Sequence, residues 1–307
     1  MIFHFRLSVL LILFGVAGTL AHAEEIELVS DPGWRTGFNV IAPTPLGKKV
    51  FQGTLQANDT SQKPQWQIAQ WSSRFTLAEA TPEEASDGAV VYRNAAKRIE
   101  FGDGELLLAI DSVIEYEGKA RKKGEHWPHL LVEQSFADRC PPLSSLAEID
   151  FHLEVNLEKA ERVEPEGYTP NLHAAQFLLY FIVKNSNPKS EGHGDFLWLG
   201  VPLYDDRGRT DKHVIGGDVA HNKVIYMPAR SAYTDRPVNL GEWITFEADL
   251  LPIAKDSLEA AWSLGKLTES KDLADYRIEG MNLGWEMPGN HRVAARVRGL
   301  SVLAETK

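Results

Sequence analysis

The stretch WPHLLVEQSF, residues 127–136, sets Trp127, His129 and Glu133 at alternate positions, and an extended backbone turns all three to one face with Leu131 and Ser135. The other face, Pro128, Leu130, Val132, Gln134 and Phe136, is apolar apart from Gln134 and reads as the core side. An aromatic ring can stack on the apolar C–H face of a sugar while imidazole, carboxylate and amide groups take its hydroxyls, so this mixture suits a glycan-binding cleft wall. The competing reading leaves Trp127 and His129 in the loop before the strand and Glu133 on plain solvated sheet.

Further groups of this kind recur along the chain. In EIDFHLEVNLEKAERV, Ile149, Phe151, Leu153, Val155 and Leu157 make a dry face opposite His152 and Glu154. Sequential strands usually neighbour one another, so these two are expected beside the first wall, with Glu133 and Glu154 within ~5.5 Å, or about 7 to 8 Å on the diagonal. AAQFLLYFIVKN adds Gln176 and Tyr180, and DFLWLGVPLYDD adds Trp198 on an aromatic face whose central Gly200 suits close approach of a flat ligand. Near the end, NLGWEMPG carries Trp285 and Glu286, either as a second carboxylate for the cleft or as a tryptophan plugging the interior beside a turn-holding glutamate.

From this set two reactions can be written. Hydrolysis needs two carboxyl groups ~5 to 10 Å apart, for which Glu133, Glu154 and Glu286 form the pool. A lyase needs a base such as Tyr180 or His152 and a cation for a uronate, supplied by Arg207 or Arg209. Both arginines lie in YDDRGRTDKHVIGGDVAHNK, which reads as a long solvated loop rimming the cleft. Its Asp205, Asp206, Asp211 and Asp218 are candidate ligands for a structural Ca²⁺, although their spacing is not that of an EF-hand.

The elements that must position these groups are mostly strands. KRIEFGDGELLLAIDSVIEY reads as a hairpin turning at Gly102-Asp103-Gly104, and KVIYMPA, EWITFEADL and HRVAARVRGLSVLA read as further strands. The one convincing helix is KDSLEAAWSLGKL, capped by Asp256 and ended by Gly265. Many strands with one short helix predict an all-β fold, a two-sheet antiparallel jelly-roll β-sandwich. A single domain is expected over residues 24–307, with 24–85 supplying edge strands and loops and 76–89 as a flexible connection.

Residues 1–23 end in Ala21-His22-Ala23 after a short apolar core led by Arg6, the pattern of a cleaved export signal, which predicts a periplasmic or extracellular protein without membrane insertion after cleavage. Cleavage removes Arg6 and no acid, leaving 31 basic against 43 acidic residues, net −12. That charge argues against nucleic acid as a partner. The single Cys140 forms no internal disulfide and reads as a small buried apolar group. Asn58-Asp59-Thr60 is an isolated glycosylation sequon, and no G-x-S-x-G, P-loop or H-E-x-x-H motif is present.

With its strand pattern, export signal, W-x₅-D-L stretch at Trp243–Leu250, NLGWEMPG and final strand, the chain resembles secreted jelly-roll β-sandwich proteins. These include carbohydrate-binding modules, concanavalin-like glycoside hydrolases and polysaccharide lyases. The resemblance covers most of residues 100–305 and implies a polysaccharide or oligosaccharide partner. The carboxylate strand motif of concanavalin-type endoglucanases and the arginine, glutamine-histidine and tyrosine motifs of jelly-roll alginate lyases are missing, so no family's catalytic residues carry over. The leading expectation is a carbohydrate-binding protein. A glycan-cleaving enzyme and a structural or adhesive envelope protein are the alternatives, the last predicting polar faces scattered over the molecule.

Overall fold

A computed structural model describes residues 23–44, 47–57, 61–84, 88–136, 139–218 and 222–307. The export signal, apart from Ala23, and the Asn58-Asp59-Thr60 sequon lie outside the described residues.

The strands and helices follow in chain order: β1 (Glu25–Glu27), β2 (Phe38–Ile41), β3 (Phe51–Leu55), β4 (Trp66–Ala69), β5 (Glu83–Glu84), β6 (Val90–Arg93), β7 (Lys97–Gly102), β8 (Glu105–Asp111), α1 (Ser112–Glu115), β9 (His129–Ser135), β10 (Leu146–Arg162), β11 (Gln176–Asn185), β12 (Phe196–Asp205), β13 (Val214–Asp218), β14 (Lys223–Met227), β15 (Trp243–Asp249), α2 (Leu250–Ser263), β16 (Tyr276–Glu286) and β17 (His291–Thr306). One sheet has the order β15-β10-β17-β8-β7-β6-β5, with β1 paired to β17, and the other has β13-β14-β12-β11-β16-β9-β4-β2-β3. The pairs are antiparallel save β2–β4 and β12–β14. The fold is a jelly-roll β-sandwich.

Alternation explains the packing. Leu130 and Val132 of β9, Phe177, Leu179 and Phe181 of β11, and Leu197, Leu199 and Val201 of β12 turn inward and meet Ile149, Phe151, Leu153 and Val155 of β10 and Val297 of β17 in one buried cluster. Phe151 and Phe181 meet edge to face with centroids 5.5 Å apart. Trp285 is fully buried, its ring 4.8 Å from that of Phe177, and its indole N–H reaches the Leu108 carbonyl of β8 at 2.8 Å. It therefore ties one sheet to the other.

The structure departs from the sequence reading at several element boundaries. α2 starts at the Asp249 cap, whose carboxylate accepts from Leu251 N at 2.9 Å, so the expected cap Asp256 falls inside the helix. Pro252 does not block this start, because its missing N–H falls in the first turn, where no intrahelical partner exists. The strand expected to run past Ser112 stops at Asp111, which caps α1. The segment 204–223 is not all loop: Tyr204 and Asp205 end β12, and Val214–Asp218 form β13. In β16, a side chain at Gly284 would place its Cβ 2.2 Å from the Leu130 carbonyl, so only glycine lets β16 lie this close to β9. Among the described residues, no helix is long and apolar enough to cross a membrane.

Trp285→Ala opens a cavity between the sheets and removes the indole bond to the Leu108 carbonyl; a loss of about 3 to 5 kcal/mol is expected in denaturant unfolding.

Candidate binding face

The outer face of the nine-stranded sheet is built by register. Glu133 of β9 pairs with Asn282 of β16 on one side and Gln67 of β4 on the other. Asn282 pairs with Tyr180 of β11, Tyr180 with Gly200 of β12, Gln67 with Asn39 of β2, and Asn39 with Thr54 of β3. The side chains flanking Asn39, Gln67, Glu133 and Tyr180 along their strands are buried, so these four point away from the core. A row of mostly polar groups thus crosses seven strands, spanning roughly 29 Å at ~4.8 Å per strand. Lys49, from the β2–β3 connection, reaches onto it, with Nζ 2.8 Å from the Glu133 carboxylate and 3.1 Å from Gln67 Oε1.

A second row lies four residues along β9, where His129 pairs with Glu286, Glu286 with Gln176, and Gln176 with Asp205. The Trp127 indole N–H donates to Glu286 Oε2 at 3.1 Å, and His129 Nε2 is 3.8 Å from the same oxygen. The Trp127 ring stacks with the His129 imidazole at 5.9 Å and carries the buried Arg121 guanidinium 5.3 Å from its centroid. Trp127 precedes the strand, as the competing reading had it, yet it joins this row through its N–H and ring. Between the rows lies a small apolar cluster of Ile41, Ala69, Leu131 and Trp71. Trp71 was not singled out from sequence; the alternation in QWQIAQW, residues 65–71, is the signal that marks it.

The segment bearing Trp71 is anchored from below. Lys97 Nζ, fully buried, lies 2.5 Å from Glu115 and donates to the Phe75 carbonyl at 2.7 Å, while Glu115 accepts from Arg74 N at 2.7 Å and from the Ser73 hydroxyl. Burial holds the Lys97 ammonium below its usual range, against the pull of Glu115.

Toward β12 the face turns aromatic. Tyr180 and Trp198 meet at 5.9 Å and Trp198 and Phe196 at 5.2 Å, both edge to face, and the Trp198 indole N–H reaches Asp218 at 3.3 Å. A Cβ on Gly200 would lie 2.7 Å from Met227 Cε and 2.9 Å from Tyr180 Cε1, so this glycine makes room for its own neighbours rather than for a flat ligand. Burial, and then the charges of Glu286 and Asp218, push the Tyr180 phenol well above its usual range.

Several expected partners lie elsewhere. His152 and Glu154 belong to β10 in the other sheet and face its outer side, because the chain crosses between sheets after β9. Glu154 is held by Arg298 at 2.7 Å, and His152 Nδ1 bonds the Gly299 carbonyl at 2.8 Å. Glu133 and Glu154 therefore stand on opposite faces of the sandwich and form no pair. A shallow depression of about 450 Å³ beside His152 is lined by Asp150, Glu247, Asp249 and Ser301; its one phenyl ring, Phe151, is turned into the core. Glu133 and Glu286 do share the binding face, but four residues of strand separate their rows, about 14 Å between backbones.

The loop residues are also committed. Arg207 clasps Asp205 through Nε at 2.9 Å and Nη2 at 2.6 Å, and Arg209, exposed, reaches Asn171 Oδ1 at 3.4 Å. The aspartates expected as Ca²⁺ ligands do not converge: Asp205 is taken by Arg207, Asp206 by Arg162 and His291, Asp211 by Arg230, and Asp218 accepts from Trp198. Among the described residues, no group of three or more His, Cys, Asp or Glu is arranged to hold a metal. Cys140 is buried, and burial pushes its thiol up to about 11.

Neither a family model nor a curated protein matches the chain. Among solved structures it is similar to endoglucanase cel12A from Rhodothermus marinus, with 10% identity and a TM-score of 0.41 over 74% of this chain and 97% of that one. A metagenome-derived glycoside hydrolase family 12 endoglucanase gives 12%, 0.40, 74% and 96% for the same measures. The xyloglucanase domain of NopAA, a type three effector from Sinorhizobium fredii, in complex with cellobiose gives 11%, 0.38, 75% and 97%. At these identities and scores the likeness carries no conclusion about what this chain does.

Beneath the second row, Asp206 joins four strand ends. It accepts from Ala175 N at 2.8 Å and Arg162 Nε at 2.9 Å, and its Oδ2 lies 2.9 Å from His291 Nε2. Burial alone would raise its carboxyl, but the bonds from His291, Ala175 and Arg162 outweigh burial and hold it below the ordinary value. Its ionised form therefore stabilises the fold fully above the unfolded carboxylate value of about 3.9, and that stability is lost as pH falls through the lower folded value. Asp206→Asn should lower stability at neutral pH and flatten its decline with acid in this range; parallel wild-type and variant slopes in pH-dependent unfolding would contradict this.

Proposed function

We propose that the outer face of the nine-stranded sheet binds a polysaccharide or oligosaccharide lying across the strands. The observation that carries this reading is the row Thr54, Asn39, Gln67, Glu133, Asn282, Tyr180, with the second row and its aromatic neighbours on the same face. The strand spacing is close to the rise of one pyranose in an extended glycan, so a bound chain meets a hydrogen-bonding group on nearly every strand. Tyr180 and Trp198 supply apolar ring surface beside those groups. Such a face runs against the envelope-protein alternative, which expects polar groups without a common surface.

Binding is favoured over cleavage. The backbones of Glu133 and Glu286 lie about 14 Å apart in register, and Lys49 is paired with Glu133 at 2.8 Å. Of the two bases named for elimination, His152 is on the far sheet, and burial pushes the Tyr180 phenol well above its usual range. In this reading one domain over residues 24–307 is exported by the signal at 1–23 to the periplasm or exterior, where such polymers lie.

Affinity electrophoresis against soluble polysaccharides tests the proposal, and no retardation by any of them would remove it. Trp198→Ala should weaken binding about five- to tenfold with little change in Tm, because it strips a ring from the face without emptying the core. A collapse in Tm would assign Trp198 to the core instead. Reducing ends or an unsaturated, ultraviolet-absorbing product would replace binding alone with hydrolysis or elimination.

A further inference from the structure

We infer that the glycan bound on this face is uncharged, and that Glu286 sets this selectivity. The inference rests on the glycan-binding reading and deepens it. Recognition of a uronate needs a free guanidinium or ammonium on the face, since a carboxylate ligand must replace its hydration with charge-assisted bonds. Among the described residues, the cations that reach the two rows or pack beside their aromatic rings are already engaged. Lys49 is spent on Glu133 at 2.8 Å, Arg207 on Asp205 at 2.6 Å, and Lys184 on Glu279 at 2.5 Å. Lys223, beside Phe196, is paired with Asp195. Arg121, behind Trp127, is buried and gives its N–H groups to the Pro288, Glu125 and Leu172 carbonyls. Arg277 holds the Cys140 carbonyl nine residues along β16 from Glu286, and Arg209 reaches Asn171 and Pro170 on the rim, neither of them on the two rows.

Glu286 is placed the other way. Among the described residues its carboxylate meets the neutral Trp127 N–H at 3.1 Å and His129 Nε2 at 3.8 Å, and forms no ion pair with lysine or arginine. Half-buried at the centre of the second row, between His129 and Gln176, it can accept from a pair of vicinal hydroxyls. The same charge repels a uronate seated on that row. Its field extends along the face, since it contributes to the raised Tyr180 phenol.

The test is affinity electrophoresis of the full mature chain at low and high ionic strength. The probes are hydroxyethylcellulose, mixed-linkage β-glucan and galactomannan as uncharged polymers, polygalacturonate and alginate as anionic ones, and chitosan as a cationic one. At least one uncharged polymer should retard the protein to the same degree at both ionic strengths, and the charged polymers should not retard it at high salt. Glu286→Gln should weaken the uncharged-polymer interaction about tenfold, the worth of one charge-assisted hydrogen bond, with an unchanged melting curve. Retardation by polygalacturonate, alginate or chitosan that matches or exceeds that by the uncharged polymers overturns the inference while leaving glycan binding intact. An unaltered affinity in Glu286→Gln overturns the role of Glu286. If none of the six polymers retards the protein, the glycan-binding reading itself falls.

Discussion

A pleated strand shows successive side chains to opposite sides, and in this sandwich one side of every central strand is committed to a single core. Everything on the candidate face follows from that commitment. Leu130 and Val132 must face the other sheet, so His129, Leu131 and Glu133 must face out. The same constraint separates Trp285 from Glu286, neighbours in sequence: the tryptophan bridges the two sheets through the Leu108 carbonyl, and the glutamate meets Trp127 and His129 outside. A slip of one residue in the β9–β16 register would exchange these roles and bury two carboxylates.

Charge distribution divides the two outer faces. On the eight-stranded sheet, Arg292, Arg296 and Arg298 of β17 are laced to Asp111, Glu161, Glu100, Glu105, Glu158 and Glu154, while Asp150, Glu247 and Asp249 gather around the depression beside His152. On the nine-stranded sheet the rows are carried by amides, a hydroxyl, a phenol, an imidazole and carboxylates; Glu133 is paired with Lys49 and Asp205 with Arg207, while among the described residues Glu286 forms no ion pair with Lys or Arg. The arginine ladder of the first face is worth little per exposed pair. The second presents donors and acceptors to solvent at strand spacing, which is what a hydroxyl-rich ligand requires.

The buried Lys97–Glu115 pair fits the same division. Removing two charges from water is costly, and such a pair gives weak support to stability on its own. Here its oxygens and ammonium hold Arg74 N, the Phe75 carbonyl and the Ser73 hydroxyl, which fixes the segment that delivers Trp71 beside His129. Nothing in the local sequence marks this pair. Lys97 reads as the first residue of a strand and Glu115 as the end of one, and their meeting depends on how β7 and α1 come together.

Alternation along single segments was enough to read β9, β10, β11, β12, β15 and β17, the hairpin at Asp103-Gly104 and the sandwich class, because burial on one side of a strand is written every second residue. It was also enough to place Trp127, His129, Glu133, Gln176, Tyr180 and Trp198 on outward positions or beside them. It failed where glycine removes the pattern, as in β16, and where a proline hides a helix start, as at Pro252. Which outward faces share a surface is not written locally at all. Whether β9 pairs with β10 or with β16 depends on where the connection after Phe136 goes, and it crosses to the other sheet, carrying His152 and Glu154 away. The sequence by itself determined each strand's wet and dry sides, since these are set by neighbouring residues. Only the tertiary structure decided that Glu286 and Asn282, more than 140 residues from the opening motif, would complete its face, because strand order is fixed by long-range pairing and by the core the two sheets share.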